Sequence, residues 1–387
     1  MLSQNSDITR LMNLANRFWK ELSKPFVGRD EEALIITLAV ITGEHIILIG
    51  EPGTAKSAIA RRAADLINAR FFKYLLTKFT EPDELFGPID INALREGRYV
   101  RITRNKLPEA EIAFIDEIFN ANSAILNMLL TIMNERIVYD GYNEIKVPLW
   151  TMIAASNSVP DDPELQALYD RFLFRHFVKP VSEDKWNSLI EACWRMEAGA
   201  LENVERIMSI KDVMELNKAI FEVDLSGVKE KLLKLYAIFE DHGLHVTDRR
   251  KGKALKAIAA HSLVNGRLKS TEEDLMVLRD IVPRTIEEYE QIYSILLDEI
   301  KSVEKRIREL IEVQNNLREL KTFVNNLSRV DEHMPRLIEY LRSMDMIKDK
   351  LKKMAEETSN ESVRAKALDV LNEVNEVRDL IKRKLGF

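Results

Sequence analysis

The sequence of 387 residues is poor in cysteine and histidine and has no long apolar run. A single cysteine, Cys193, excludes an intramolecular disulfide and any cysteine-rich metal site. It stands beside Trp194 in an apolar helical context, which predicts a buried and inert thiol. Of the six histidines only His242 and His245 are close together, and they lack the partner residues of a zinc site. No run approaches the roughly 18 to 20 apolar residues of a membrane span, and the N-terminus has no secretory pattern, so we expect a cytoplasmic protein.

An excess of positive charge is also missing. The chain carries 57 Lys+Arg against 63 Asp+Glu, a net charge of -6, which argues against a protein whose main task is coating DNA or an anionic membrane. The 46% of hydrophobic and 31% of charged residues are typical of a globular protein. The length predicts two or three domains.

Glycine and proline are sparse, and most of them lie in residues 1–180. This part holds five short apolar runs bracketed by helical stretches, a pattern typical of a parallel α/β sheet. The predicted strands are His45–Gly50, Phe71–Thr77, Glu111–Asp116, Leu149–Ser156 and Arg171–Val178. Residues 181–285 have the pattern of helices. In residues 286–387 apolar side chains recur at steps of three and four, which predicts a bundle or coiled-coil arm of three helices, with turns near His333 and Asn360.

A candidate phosphate-binding loop follows the first predicted strand and precedes a helical run. Such a loop needs a strand, a turn of exposed backbone N–H groups and a helix start. Lys56 would reach the β- and γ-phosphates of ATP, and Ser57 would hold Mg²⁺. Ala55 replaces the usual glycine, which is tolerable if the backbone there is not left-handed. The predicted nucleotide-binding residues are Gly50, Glu51, Pro52, Gly53, Thr54, Ala55, Lys56, Ser57 and Ala58.

Two other predicted strands end in polar side chains. The strand Ile112–Ile115 leads into Asp116 and Glu117, which point to different sides of the strand and can take different roles. Asp116 would bind Mg²⁺, and Glu117 would orient the water that attacks the γ-phosphate. Asn157 follows Ile153–Ser156 and could hydrogen-bond that water or the γ-phosphate. Taken alone, Asn157 is equally typical of a turn.

Together these motifs resemble a known family. The segments GEPGTAKS (50–57), AFIDE (113–117), AASN (154–157) and LYDRFLFR (168–175) are similar to the AAA+ ATPases of the MoxR type, and most of all to the RavA-like branch. In that family alanine is common before the lysine. The resemblance covers about residues 5–285, and it places Val27 and Gly28 beside the adenine. It implies an α/β P-loop core of three layers with a parallel sheet (1–180) and a helical lid (181–285). The helical tail predicted for residues 286–387 lies outside the resemblance.

The resemblance also implies catalytic arginines and an assembly. Arg171 resembles the arginine finger that one subunit offers to its neighbour's γ-phosphate, with Arg175 as the alternative. Arg249 resembles the sensor 2 arginine, with Arg250 as the alternative. A plain surface arginine and a helix start capped by Thr247 or Asp248 would explain the same residues without a role in catalysis. The implied protein is a homo-oligomer, a hexameric ring that hydrolyses ATP with Mg²⁺ and remodels a protein substrate together with a partner that carries a von Willebrand factor A domain.

Two predicted hairpins bear on the rival functions. Residues 88–108 contain Gly97 between two short runs and are locally basic, so they form either a grip for an acidic polypeptide or nucleic acid, or a solvated hairpin. Residues 135–148 turn at Asp140-Gly141, and the charges of Arg136 and Lys146 balance those of Asp140 and Glu144. That neutrality weighs against the first rival, a nucleic-acid motor. The second rival is a nucleotide-dependent scaffold, which has no need of Glu117.

Overall fold

The computed structural model describes residues 2–140, 143–199, 204–300, 303–325, 333–357 and 361–385. Its strands are β1 (Ile46–Ile49), β2 (Phe71–Leu75), β3 (Ile112–Asp116), β4 (Ile137–Asp140), β5 (Asn143–Lys146), β6 (Thr151–Ser156) and β7 (Phe174–Phe177). The first eight helices are α1 (Leu2–Ser23), α2 (Asp30–Thr42), α3 (Lys56–Ile67), α4 (Pro82–Phe86), α5 (Ile91–Arg95), α6 (Ser123–Glu135), α7 (Pro163–Tyr169) and α8 (Trp186–Glu197). The later helices are α9 (Ile210–Ala219), α10 (Lys229–Asp241), α11 (Asp248–Val264), α12 (Ile286–Glu299), α13 (Val303–Asn325), α14 (Met334–Glu357) and α15 (Glu361–Leu385).

Five strands form one parallel sheet in the order β2-β3-β6-β1-β7. They correspond to the five predicted apolar runs, and the expected α/β architecture is confirmed. All four residues of β1 are buried because the strand lies between β6 and β7 and is covered on both faces. The order makes β3, β6 and β1 neighbours, so their carboxyl ends meet at one edge of the sheet.

The buried helix α2 leads into β1 through a tight turn. Nearly every residue of α2 from Ala33 to Thr42 is buried, as expected for the most apolar stretch of the chain. Gly43 ends the helix with a φ of 66°, and an added Cβ would lie 3.2 Å from the Trp150 ring. Both the positive φ and the close ring require glycine here. This turn leads into β1, which lies inside the sheet between β6 and β7, and Gly50 follows the carboxyl end of β1.

The segment 88–108 differs from the predicted hairpin. Its first run forms the short helix α5, because the Asp90 side chain accepts hydrogen bonds from the N–H groups of Asn92 and Ala93. A single antiparallel bridge joins Ile89 to Arg101. Arg101 forms an ion pair with Asp83, and Arg98 forms an ion pair with Glu96. The basic character that the sequence suggested is thus partly neutralised.

The second hairpin is confirmed as an antiparallel pair of β4 and β5, in which Val138 lies opposite Ile145. Its expected turn residue, Gly141, lies outside the described residues. Arg136 is not a hairpin charge, because its guanidinium donates hydrogen bonds to the carbonyls of Gly43 (3.2 Å) and Trp150 (3.1 Å). Burial lowers the pKa of Arg136.

The chain divides into two compact units, residues 1–293 and 294–387. In the second unit α15 packs along both α13 and α14, and the predicted apolar seam forms its core. The buried residues of this core include Leu310, Leu317, Val324, Leu337, Met344, Leu351, Val370, Val374 and Ile381. The expected turn at Asn360 lies outside the described residues. Across the described ranges, no helix is long and apolar enough to cross a membrane.

Cys193 contradicts the expectation of a buried thiol. It lies on α8, where Ala192 is the one buried residue of the helix. The apolar spacing of α8 is real, but the helix finds little to pack against in the rest of the described chain. The exposed Cys193 is therefore accessible to reagents in the isolated subunit.

A buried charge cluster joins α2 and β7 to the 3-10 helix Glu272–Asp280 of the lid. The His176 ring places Nδ1 2.7 Å from Asp280 Oδ1 and Nε2 3.9 Å from Glu32 Oε1. Arg29 pairs with Glu32 at 2.7 Å, and Arg279 pairs with Asp280 at 3.2 Å. Burial alone would lower the pKa of His176, but the two carboxylates outweigh it and raise the pKa to about 9.

We expect this cluster to make stability fall at alkaline pH. A histidine whose pKa rises from 6.5 to about 9 stabilises the fold fully below pH 6.5 and loses that contribution as the pH passes about 9. The loss amounts to about 3 kcal/mol. The measurement is the free energy of unfolding of the wild type and of His176→Gln at neutral and alkaline pH. The difference between the two proteins should shrink as the pH rises, and a constant difference would contradict the assignment.

Candidate active site

The carboxyl ends of β1, β3 and β6 bring the polar motifs together. The N–H of Gly50 donates to the carbonyl of Ser156 at 3.0 Å, so the loop after β1 starts beside the end of β6. Ile115 of β3 lies opposite Ala154 of β6, which places Asp116 and Asn157 on the same edge. Ligands of open parallel sheets bind at such an edge, where neighbouring connections diverge.

The loop 50–57 is wrapped around the Lys56 ammonium. Lys56 Nζ donates to the carbonyls of Gly50 (2.6 Å) and Glu51 (2.8 Å), and Thr54 Oγ1 donates to Glu51 (2.9 Å). Burial lowers the pKa of Lys56, and the nearby carboxylates of Asp116 and Glu117 partly offset the shift. Lys56, Asp116 and Glu117 therefore share one electrostatic environment.

The loop fits a polyphosphate. Lys56 is the first residue of α3, and Ser57 follows it, half-buried, in the same first turn. No side chain caps the start of α3, so its first N–H groups are free of the usual intramolecular cap and can bind an anion. Gly50 is needed for close packing, since an added Cβ would lie 2.6 Å from the carbonyl oxygen of Val178.

From the sequence, alanine at position 55 is tolerable on the condition that its backbone is not left-handed, and the structure contradicts that condition. Its backbone is left-handed, with φ 64° and ψ 15°, although its side chain carries a Cβ. For an L-residue this conformation costs roughly 1 to 2 kcal/mol. The strain is held at the start of α3, between the candidate phosphate loop and the helix, and strained backbone is common at functional sites.

Asp116, Glu117 and Asn157 form a connected set. The amide of Asn157 donates from Nδ2 to Glu117 Oε1 at 2.6 Å, and the N–H of Glu117 donates to Asp116 Oδ1 at 3.1 Å. Glu117 has a left-handed backbone with φ 50°, which turns the chain sharply at the end of β3. Asn157 therefore holds one carboxylate oxygen of Glu117 and orients the group.

The predicted adenine segment borders a separate cavity of about 300 Å³. Gly28 lines it, and Val27 is the half-buried residue before Gly28. An added Cβ on Gly28 would lie 3.5 Å from Val181 and 3.7 Å from Lys185. Since Val178 closes over Gly50, the short segment 178–181 links the phosphate loop to this cavity.

Arg171 lies away from these residues. It precedes β7, and the first residue of β7, Phe174, lies opposite Ile46 at the start of β1. Gly50 follows the other end of β1, and four strand residues span about 13 Å. The structure therefore places Arg171 near the opposite edge of the sheet from Lys56. Arg171 Nε is buried and has no hydrogen-bond partner among the described residues.

Arg171 and Arg249 share one cavity of about 350 Å³. Arg249 is exposed at the start of α11, and Thr247 before it makes no side-chain cap hydrogen bond. The residues that line this cavity are Ala167, Asp170, Arg171, Leu173, Thr247, Arg249, Arg250 and Lys253. The two candidate arginines, separate in the sequence, are therefore brought together.

The two alternative arginines are engaged inside the subunit. Arg250 is buried and donates to the carbonyls of Phe172 (2.7 Å), Leu173 (3.0 Å) and Ile281 (2.7 Å). Arg175 is fully buried, pairs with Asp170 at 2.5 Å and lies 4.0 Å from the centroid of the Tyr169 ring. Sequence reasoning missed the anchoring role of Arg250, because the carbonyls it binds come from two distant segments and leave no local signal.

A parallel sheet with strand order β2-β3-β6-β1-β7, a phosphate-type loop after β1 and a helical lid define an AAA+ P-loop fold. A family model described as the MoxR domain in the MoxR-vWA-beta-propeller ternary systems matches residues 13–218. A model of an AAA lid domain matches residues 221–296. The chain belongs to the MoxR family of AAA+ ATPases.

The chain is also similar to individual proteins. Two uncharacterised proteins of Methanocaldococcus jannaschii are similar to the chain. One is 41% identical over 264 residues (68% of this chain, 69% of the relative). The other is 34% identical over 382 residues (97% of this chain, 98% of the relative). A solved structure of a candidate ATPase from Cytophaga hutchinsonii shares the fold, with a TM-score of 0.63 and 20% identity over 77% of this chain and 98% of that one.

Proposed function

We propose that the chain binds and hydrolyses ATP at the edge formed by β1, β3 and β6. The observation that carries this proposal is the hydrogen bond between Asn157 and Glu117 beside the Lys56 loop. Lys56 binds the β- and γ-phosphates, and Glu117, held by Asn157, orients and polarises the attacking water. Ser57 and Asp116 would hold Mg²⁺, which neutralises phosphate charge when bound.

The site is completed by a neighbouring subunit. Arg171 and Arg249 lie near the edge opposite Lys56, which supports a role at the nucleotide of another copy rather than their own. Their guanidinium groups would stabilise charge on the transferring phosphoryl oxygens. A surface that meets a different surface of the next copy closes into a ring, and six subunits is the number that the family resemblance implies. Arg249 then acts in trans.

The ring would drive remodelling or chaperone-like maturation of another protein. The matching family model is described from MoxR-vWA-beta-propeller systems, which supports a partner with a von Willebrand factor A domain. We further propose that the chain belongs to the RavA-like branch, that its core, lid and tail divide at about residues 180 and 285, and that it is cytoplasmic. A nucleic-acid motor is less favoured because Arg98 and Arg101 are paired and Arg136 is engaged inside the subunit.

The test is ATP turnover per subunit as a function of protein concentration. A site shared between copies predicts that turnover per subunit rises with concentration and then levels off once the ring is complete. Light scattering on the same samples reports the mass of the assembly. Turnover that stays flat while the mass rises would exclude the shared site, and tight ATP binding without turnover at any concentration would favour the scaffold.

A further inference from the structure

Helix α8 exposes an apolar stripe. Trp186, Ile190 and Trp194 are 51%, 68% and 78% exposed, and they recur every four residues, so they lie along one side of the helix. Cys193 is exposed on the same side. In the described part of the chain, the main neighbour of α8 is the 3-10 turn Glu183–Lys185 just before it. Among the described residues, the apolar side of α8 is therefore largely uncovered.

We expect the apolar side of such a helix to be covered by another protein surface. A free helix of twelve residues is marginal in water, and helices of this length gain most of their stability from packing an amphipathic face. Tryptophan carries a large apolar area and is enriched among the residues that dominate binding at interfaces. Two tryptophans and an isoleucine are too few for a standard interface of about 800 Å² per partner. The stripe must therefore belong to a larger contact surface.

The position of α8 indicates which surface that is. Lys185, the residue before α8, lies 3.7 Å from a Cβ placed on Gly28, and Trp186 Nε1 donates to the carbonyl of Val181 at 3.1 Å. The apolar stripe is thus attached to the segment that borders the candidate adenine cavity. In the proposed ring, this side of one copy faces the Arg171 and Arg249 side of the next.

The charges on the two surfaces favour a contact between α8 of one copy and the arginine face of the next. Around the stripe, residues 183–197 expose four carboxylates against two cations, with Glu183, Asp184, Glu191 and Glu197 opposed by Lys185 and Arg195. The cavity that holds Arg171 and Arg249 is lined by four cationic side chains and one carboxylate, Asp170. An acidic flank and a basic face attract each other, and tryptophan rings also bind guanidinium groups through their faces.

We propose that the tryptophan stripe of α8 packs against a second copy of this chain, on the face that carries Arg171 and Arg249. This inference rests on the proposed shared site and identifies the apolar contact that holds neighbouring subunits together. Because α8 adjoins the candidate adenine cavity through Lys185 and Val181, its docking would bring the neighbour's arginines to the nucleotide. Assembly and completion of the active site would then be one event.

The single cysteine offers a direct test in the unaltered chain. Cys193 is labelled with a maleimide in the presence of ATP and Mg²⁺, while light scattering follows the mass of the assembly. We expect the labelling rate to fall about tenfold or more as the copies assemble, because thiol reactivity depends on access. Assembly and turnover with an unchanged labelling rate would overturn the α8 contact and leave the ring intact. A chain that stays monomeric at every concentration would overturn both.

A pair of variants gives an independent test. Trp194→Gln should weaken association by about 30-fold, as the loss of a buried aromatic anchor does, with turnover per subunit recovering at high concentration. Met346→Gln is the matched control, since Met346 is 76% exposed and lies in the other unit. It should assemble like the wild type. ATP binding by dilute Trp194→Gln should be unchanged, and assembly of this variant at the wild-type concentration would contradict the contact.

Discussion

Replacing Glu117 by glutamine should remove ATP turnover and preserve ATP binding. The glutamine keeps the shape and can still face the Asn157 amide, but it loses the charge that polarises the attacking water in the proposed mechanism. Removal of a general base costs about 10²- to 10⁴-fold in rate. The loop around Lys56 is untouched, so the affinity for ATP should stay within a few-fold of that of the wild type. Turnover is measured by phosphate release above the assembly concentration.

The control for this variant is Glu135→Gln, which removes an exposed carboxylate at the end of α6. It should hydrolyse ATP at the wild-type rate. If Glu117→Gln also retained turnover within about threefold, the assignment of the base would be wrong. The carboxylate of Asp116 would then be the next group to examine.

Arg171→Ala is the variant that separates a shared site from a self-contained one. Loss of an arginine finger costs about 10³- to 10⁵-fold in turnover. Arg171 lies near the sheet edge opposite Lys56, so its own subunit's phosphate loop should still bind ATP. We expect a ring of normal mass that binds ATP and does not hydrolyse it.

Mixing two inactive variants tests the sharing directly. Arg171→Ala subunits retain Lys56, and Lys56→Ala subunits retain Arg171. A random equal mixture restores a complete site at about a quarter of the contacts between subunits, because contacts join two different faces. Arg61→Ala removes an exposed arginine that pairs with Asp65 and serves as the control. Mixed rings of normal mass without recovered turnover would exclude a role for Arg171 in trans.

The phosphate loop and the polar strand ends could be predicted because each depends only on residues that are neighbours in the sequence. A buried strand, a turn and a helix start are encoded by neighbouring residues, and so the loop at Lys56 and the strand ends at Asp116 and Asn157 could be read directly. The apolar runs also sufficed for the parallel sheet, since strands covered on both faces are continuously apolar. The segment 88–108 was harder, because the capping side chain of Asp90 decided between helix and strand.

Glu117 and Asn157 illustrate what sequence patterns can predict about a site and what they cannot. The sequence placed each of them after a strand, assigned Glu117 to the attacking water and assigned Asn157 to that water or the γ-phosphate. It could not show that they touch, because residues 40 positions apart meet only once the order of β3 and β6 is known. The left-handed backbone of Ala55 and Glu117 is likewise a property of the folded turn.

The sequence alone determined the class of fold, the family and the residues around the phosphate loop, because each of these depends on short patterns. The tertiary structure alone decided which of two adjacent arginines is available. Arg250 is held by carbonyls from residues 172, 173 and 281, whereas Arg249 beside it is exposed and lines a common cavity with Arg171. It also decided that the apolar stripe of α8 lies on the surface. Whether a residue is buried depends on which distant segments pack against it, and the spacing of apolar residues within one helix does not contain that information.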